Sequence, residues 1–345
     1  MGNSQALNNQ GNSRAYLILI IGIVFLAFTA PWVKLSNFEP ATSVLLRCGL
    51  GFLALLPFMI REVKKHGSLS KTGIMLSLLA GLFLGIDFTA WNYSIYYVGS
   101  GIASILLNMQ VIILPALAFL FDRERIPKTY FIVAPIMILG VVMTGGIFDP
   151  VDPASVTGPT TIYGMNIATL GTIAGIISGV CYGIYLYTSR KASSGSINVI
   201  VQPMAYATLA QLVAPILWIL FSGIGEFNLT QGVLVDGALP MNPETTMGDP
   251  ITAMNWFWVI VLATLGQAVA WTFVQYGAVR LNSTIVAGLL LLSPISTVAI
   301  IAVVLFGEIP SVIQVLGVVI VLGAVAYQNS LHTLVMEKMR GKTAG

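Results

Sequence analysis

Charge is what this chain has least of. Only 8% of its 345 residues are Asp, Glu, Lys or Arg, against about 25% in soluble globular domains. With 57% hydrophobic residues and a mean hydropathy of +0.89, it carries more apolar surface than a soluble core hides. Its solvent is therefore largely lipid. Histidine is nearly absent, and His66 and His332 lie in or near loops. The two cysteines, Cys48 and Cys181, sit in apolar stretches and imply no disulfide framework. No HExxH, GxSxG, Cys/His cluster or phosphate-cradling glycine loop occurs. Intramembrane hydrolase chemistry and direct coupling to ATP on this chain are set aside. We expect no enzyme, no metal, no organic cofactor and no nucleic-acid partner.

What is present is a series of ten apolar runs. They are Tyr16–Val33, Ala41–Ile60, Thr72–Tyr93, Gly101–Phe121, Tyr130–Ile147, Asn166–Thr188, Val199–Phe221, Asn255–Tyr276, Thr284–Phe306 and Val312–Leu331. A helix needs about 20 apolar residues to cross a bilayer core. The runs are continuous rather than alternating, which favours helices over a β-barrel. The first run is longer than a signal-peptide core and lacks a small-x-small cleavage site, so it reads as a span. Residues 1–13 are polar and small and are expected to form a disordered tail.

The charges orient these spans. With the N-terminus inside, 14 of the 16 basic residues fall in cytoplasmic segments, Lys34 falls outside, and Arg47 lies within a span. Eight acids, among them Glu39, Glu226 and Glu308, fall outside. The positive-inside bias thus predicts ten spans with both termini cytoplasmic. The fold expected is an all-α integral membrane protein of the cell membrane, monomeric or a homodimer.

The stretch Ser283–Pro310 echoes Gly99–Pro127. Ala287 matches Ala103, Glu308 matches Glu124, and Ile309-Pro310 matches Ile126-Pro127 after one inserted residue. The same order of elements surrounds both copies, as in an end-to-end duplication. The domain reading is a first five-helix repeat over 14–147, an outer linker over 148–165, and a second repeat over 166–332. The second repeat carries an outer loop over 223–254, and a basic cytoplasmic tail follows at 333–345. Five is odd, so the second repeat is inverted. Inverted repeats are a mark of secondary transporters, which hold substrate near the midplane between the halves. The two outer loops are acidic and read either as solvated connections or as a gate.

Two charges lie inside the spans. Arg47 sits about 10 Å below the outer surface at 1.5 Å per residue, and Asp87 lies at a similar depth. Each would cost about 2.5–3.5 kcal/mol facing lipid, so both face the interior. They form either a structural ion pair or a site for substrate or a coupling proton. Asn108, Gln110, Gln211 and Gln267 are the uncharged polar groups at mid-depth. Trp91 follows Asp87 by one turn, and Trp271 follows Gln267 by one turn. With Trp32 and Tyr182 these rings are candidate walls for an ammonium group. The candidate substrate-binding set is Trp32, Arg47, Asp87, Trp91, Gln110, Tyr182, Gln267 and Trp271. Trp256, Trp258, Tyr96 and Tyr97 read as interfacial belt residues. Gly171, Gly175, Gly179 and Gly183 form a small-residue ridge for close helix packing, internal or between two copies. Pro115 and Pro294 interrupt the fourth and ninth spans.

At this point the chain resembles the drug/metabolite transporter superfamily, in its ten-span EamA-type branch. The resemblance covers about residues 14–332. It rests on the two five-span halves, the turn Pro31–Leu35, Arg47, and Ser293-Pro294 followed by Phe306-Gly307-Glu308. The first copy departs: Gln110 stands where Pro294 aligns, and Asp-Arg-Glu replaces Phe-Gly-Glu. The resemblance implies a central cavity and transport of small organic solutes, often outward. The function expected is a secondary active transporter of a small polar metabolite, amino acid or amine-like, with a proton as candidate coupling ion. A channel or a non-transporting solute sensor is the alternative class. A nucleotide-sugar or drug exchanger is the alternative within transporters, although phosphate wants several buried cations and only Arg47 is available.

Overall fold

Hydrocarbon offers the backbone no hydrogen bonds, so apolar runs in a bilayer close theirs internally as helices. The computed structural model describes residues 2–123, 130–144, 161–162, 164–192, 199–222, 226–235, 248–278, 280–281, 289–290, 293 and 310–328. In chain order they form α1 (Gly2–Ala27), α2 (Thr29–Ser36), α3 (Pro40–His66), α4 (Lys71–Val98), α5 (Ser100–Leu106) and α6 (Gln110–Asp122). Then come α7 (Tyr130–Thr144), the hairpin β1 (Thr161–Ile162) and β2 (Met165–Asn166), α8 (Ile167–Ala192), α9 (Val201–Ala210) and α10 (Val213–Phe221). α11 (Ala253–Val261), α12 (Ala270–Ala278) and α13 (Val312–Gln328) complete the set. α1 already runs from Gly2, through the stretch expected to be a disordered tail.

Among the described residues, seven helical stretches are long and apolar enough to cross a membrane. They fall on the first four expected spans and on the sixth, seventh and eighth. Of the fifth expected span, α7 covers the 15 described residues. α13 has 17 residues. Apart from 289–290 and 293, the ninth expected span lies outside the described residues, as do the tail 333–345 and most of the linker 148–165.

Local chemistry places the helix ends. Glu39 caps α3, its Oε2 accepting from the Thr42 amide at 2.8 Å, and Pro40 opens the helix where its missing N–H costs nothing. Lys64, Lys65 and His66 fill the last turn, against the negative end of the helix dipole. Ser70 caps α4 at the Gly73 amide, 3.1 Å away.

Between helices, small residues set the approach. The glycine ridge of α8 packs inside the bundle. A Cβ added at Gly175 would lie 2.8 Å from Leu106 Cβ, and one at Gly179 2.8 Å from the Leu106 carbonyl. On its other side α4 lays Gly81 and Gly85 against the backbone of Ala207 and Gln211, so close that a Cβ at either would collide with it. The ridge therefore serves packing of α8 on its own neighbours.

Both ends of α3 are tied to the second half of the chain. At the His66 end, Glu62 accepts from the amides of Ile200, Val201 and Gln202 at 2.8, 3.1 and 2.8 Å, satisfying the start of α9. At the Pro40 end, the Thr42 hydroxyl donates to the Glu226 carbonyl at 2.8 Å. Asn37, in the left-handed region at φ 55°, takes the amides of Val233 and Leu234 on its side-chain oxygen at 3.2 and 2.9 Å. The described part of the 223–254 loop is thus docked on the end of α2 rather than free. Tyr96, expected in the aromatic belt, is buried there instead. Its hydroxyl points at the carbonyls of Val33 and Phe38, 3.2 and 3.3 Å away, because α2 folds over it.

Glu39 also accepts from the Tyr93 hydroxyl at 2.5 Å, and that oxygen accepts from Trp218 Nε1 at 3.0 Å. Burial raises the Glu39 carboxyl above the usual glutamate range, while the bonds from Tyr93 and the Thr42 and Ala41 amides pull the other way. A raised folded-state value means that Glu39's contribution is fully present below the unfolded pKa and is lost as pH rises through the folded one. Between about pH 8 and about pH 4 the thermal midpoint of the wild type should gain on that of Glu39→Gln as the solution is acidified. A pH-independent gap between the two would contradict this.

Candidate functional site

Three of the spans have helices that break, and two of them, the seventh and eighth, join α3 and α4 in the site. In the seventh span, α9 and α10 are separated at Gln211–Leu212. Pro215 is the cause: it has no N–H for the Gln211 carbonyl four residues back, and its ring crowds that oxygen. In the eighth span, Leu262–Val269 is a π-helix between α11 and α12 and contains Gln267. A π segment adds a residue per turn and re-aims side chains, often at functional sites. In the fourth span a 3-10 turn at Leu107–Met109 precedes α6, and Gln110 opens the next helix.

These breaks carry a buried polar chain. Arg47, 1% exposed on α3, donates from Nε to Gln267 Oε1 at 3.0 Å. Gln267 Nε2 donates to Gln211 Oε1 at 2.9 Å and to Thr208 Oγ1 at 3.3 Å. The Cys48 thiol also donates to Gln211 Oε1, at 3.1 Å. Gly51 leaves room for this: a Cβ there would lie 2.7 Å from Gln267 Cγ. A guanidinium from the first half is thereby held by an amide from the second.

Arg47 is also stacked. Its guanidinium carbon is 3.8 Å from the centre of the Phe88 ring and 5.9 Å from that of Trp91. A desolvated cation on an aromatic face is worth up to about 2 kcal/mol. Phe88 lies 6.1 Å from Trp271. Trp271 meets Tyr182 and Tyr185 edge-on at 5.8 and 5.6 Å, and the two tyrosines stack at 6.0 Å.

Asp87 corrects one expectation. Among the described residues Arg47 and Asp87 are the charged side chains that are fully buried, but no ion pair joins them. Asp87 accepts a hydrogen bond from the Ser178 hydroxyl of α8. The reason is helical geometry. Phe88 is one residue, about 100°, further round α4 than Asp87. Leu84 and Phe88 face α3 and Asp87 turns to α8, while Trp91, about 40° from Asp87, lies between the two directions.

The structure brings Arg47, Gln267, Trp91, Trp271, Tyr182 and Asp87 into one neighbourhood. Trp32 stands to one side, stacked on Phe28 at 5.8 Å in an apolar cluster that it shares with Trp91. Gln110 packs beside Gly183 of α8, its Oε1 buried without a partner. Phe88, Ser178, Thr208 and Tyr185 were not among the expected residues, and Gln211 was expected only as a mid-depth polar group. Phe88 had a signal, standing between Leu84 and Trp91 at helical spacing. Ser178 had none beyond its place in a small-residue ridge.

A solved structure, described only as a crystal structure of a protein, matches with a TM-score of 0.56 at 15% identity. The match covers 93% of this chain and 98% of that one, and at this identity it speaks to the fold alone. No curated protein matches. Residues 13–146 match the model of the EamA-like transporter family. The EamA-type resemblance is thereby borne out over the first five expected spans.

Replacing Gln267 by Leu strands the Arg47 Nε proton, and removing one partner of a buried charged bond costs about 3 kcal/mol. Gln267→Leu should lower the thermal midpoint of the purified protein clearly, and Gln267→Glu, which keeps an acceptor, should retain most of it. Equal losses in the two variants would argue against the bond.

Proposed function

We propose that the chain is a secondary active transporter of a small polar organic metabolite, amino acid or amine-like, working by alternating access. One observation carries the reading. A fully buried arginine of the first half is held by a glutamine of the second, where two membrane-length spans are broken near their middles. Broken spans expose backbone groups where hydrocarbon forbids it, and carriers use such breaks around a solute site. The EamA-like match supports the same class.

In this reading the two five-span units are inverted, both termini are cytoplasmic, and movement is outward across the cell membrane. Arg47 on α3 and Asp87 on α4 supply opposite charges to the site. Phe88, Tyr182 and Trp271 supply apolar walls. The ties at the two ends of α3 are gates: Glu62 on the start of α9, and Asn37 with Thr42 on the 226–234 loop. Rocking opens one set while the other holds. Asp87, bonded to a neutral serine rather than neutralised by arginine, is free to take a proton as coupling ion.

Counterflow in proteoliposomes tests this. A carrier loaded with unlabelled solute accelerates uptake of labelled solute; a channel shows no such exchange, and a sensor moves nothing. Asp87→Asn should abolish the pH dependence of flux while leaving exchange measurable. Unchanged pH dependence would remove Asp87 from the coupling role.

A further inference from the structure

Four of the buried polar atoms left without partners are donors around Arg47. Arg47 Nη1, Gln211 Nε2, Trp91 Nε1 and Trp271 Nε1 are all buried and all lack a hydrogen-bond partner. Each is a donor. Their parent residues are between 0% and 6% exposed. They lie within one or two contacts of the guanidinium: Gln211 through Gln267, Trp91 by its ring at 5.9 Å, and Trp271 through Phe88. The local acceptors are already committed, since Gln267 Oε1 takes Arg47, and Gln211 Oε1 takes Gln267 and Cys48. The unpartnered amide acceptors lie elsewhere, Gln110 Oε1 beside α8 and Asn92 Oδ1 about 100° round α4 from Trp91; the unpartnered Ser43 hydroxyl, one turn before Arg47 on α3, can donate or accept and leaves the excess of donors in place.

Leaving a buried donor unmade is costly, and four around one cation would be the worst-satisfied point among the described spans. An ammonium group would worsen it, bringing more donors and a like charge. An anionic group with two acceptor oxygens relieves it. We infer that the solute group held at Arg47 is a carboxylate, received by Arg47 Nη1 together with Gln211 Nε2 and an indole N–H. This rests on the carrier reading above and narrows it, excluding solutes whose only charge is an amine. It also assigns Gln211 to the site as a specificity-determining residue. The Pro215 break is what turns its amide inward. Phe88 leaves the guanidinium edge open by taking its face.

The test uses two matched pools on purified full-length protein: the common amino acids, and the amines left when each loses its carboxyl group. Thermal shift and proteoliposome counterflow are read with both. The wild type should be stabilised by, and exchange, the carboxylate pool and not the amine pool. Gln211→Glu keeps the acceptor for Gln267 and Cys48 but turns a donor into an anion. It should weaken carboxylate binding about tenfold or more and admit the amines. Arg47→Gln should lose the carboxylate response as well. Exchange of the amine pool alone, or a Gln211→Glu variant with unchanged preference, overturns the assignment and leaves the carrier intact. Stabilisation by carboxylates with no counterflow leaves the assignment intact and removes the carrier. No response to carboxylates in either assay overturns the assignment.

Discussion

A charge in hydrocarbon needs a partner, and the rest of this molecule can be read from how Arg47 finds one. The guanidinium sits on α3, inside a bundle whose outer face is Leu, Ile, Val and Phe. It is held by Gln267 at 3.0 Å and covered by Phe88 at 3.8 Å. Neither partner lies on its own helix. The bond to Gln267 joins the halves of the sequence, and the stacking joins α3 to α4. A covalently simple chain of helices acquires a fixed interior register at that one point.

The helix breaks serve this register. Regular α-helices would present the same few faces along their length. The Pro215 break and the π segment at Leu262–Val269 re-aim Gln211 and Gln267 toward Arg47. Outside this centre the packing is made by small residues, with Gly81 and Gly85 against α9 and the Gly171–Gly183 ridge against α4 to α6. Such contacts slide at little cost, whereas hydrogen bonds at buried amides switch between discrete arrangements. A tight centre between smooth helix faces, tied at both ends of α3, would give the proposed carrier a physical basis for rocking.

Much of this was legible in the sequence. Span positions followed from hydropathy because lipid leaves little else to decide, and seven of them lie close to the expected positions. The inward placement of Arg47 and Asp87 followed from the cost of charge. Their separation did not, because similar depth along two helices says nothing about angle around them. Phe88, adjacent to Asp87, takes the place that the carboxylate was expected to fill. Glu39 looked like a loop acid, yet it caps α3 and binds Tyr93, since its role depends on a fold-back of α2 that no local pattern records. The link from Gln267 to Gln211 spans 56 residues, and no periodicity reaches that far.

The central claim is that Arg47 and Gln267 act as one unit across the halves. A double-mutant cycle on thermal or denaturant unfolding in lipid nanodiscs, with Arg47→Met, Gln267→Leu and both, measures it directly. The account predicts a coupling of about 1–3 kcal/mol, with the double variant less damaged than the sum of the singles. Losses that add to within about 0.5 kcal/mol would contradict it.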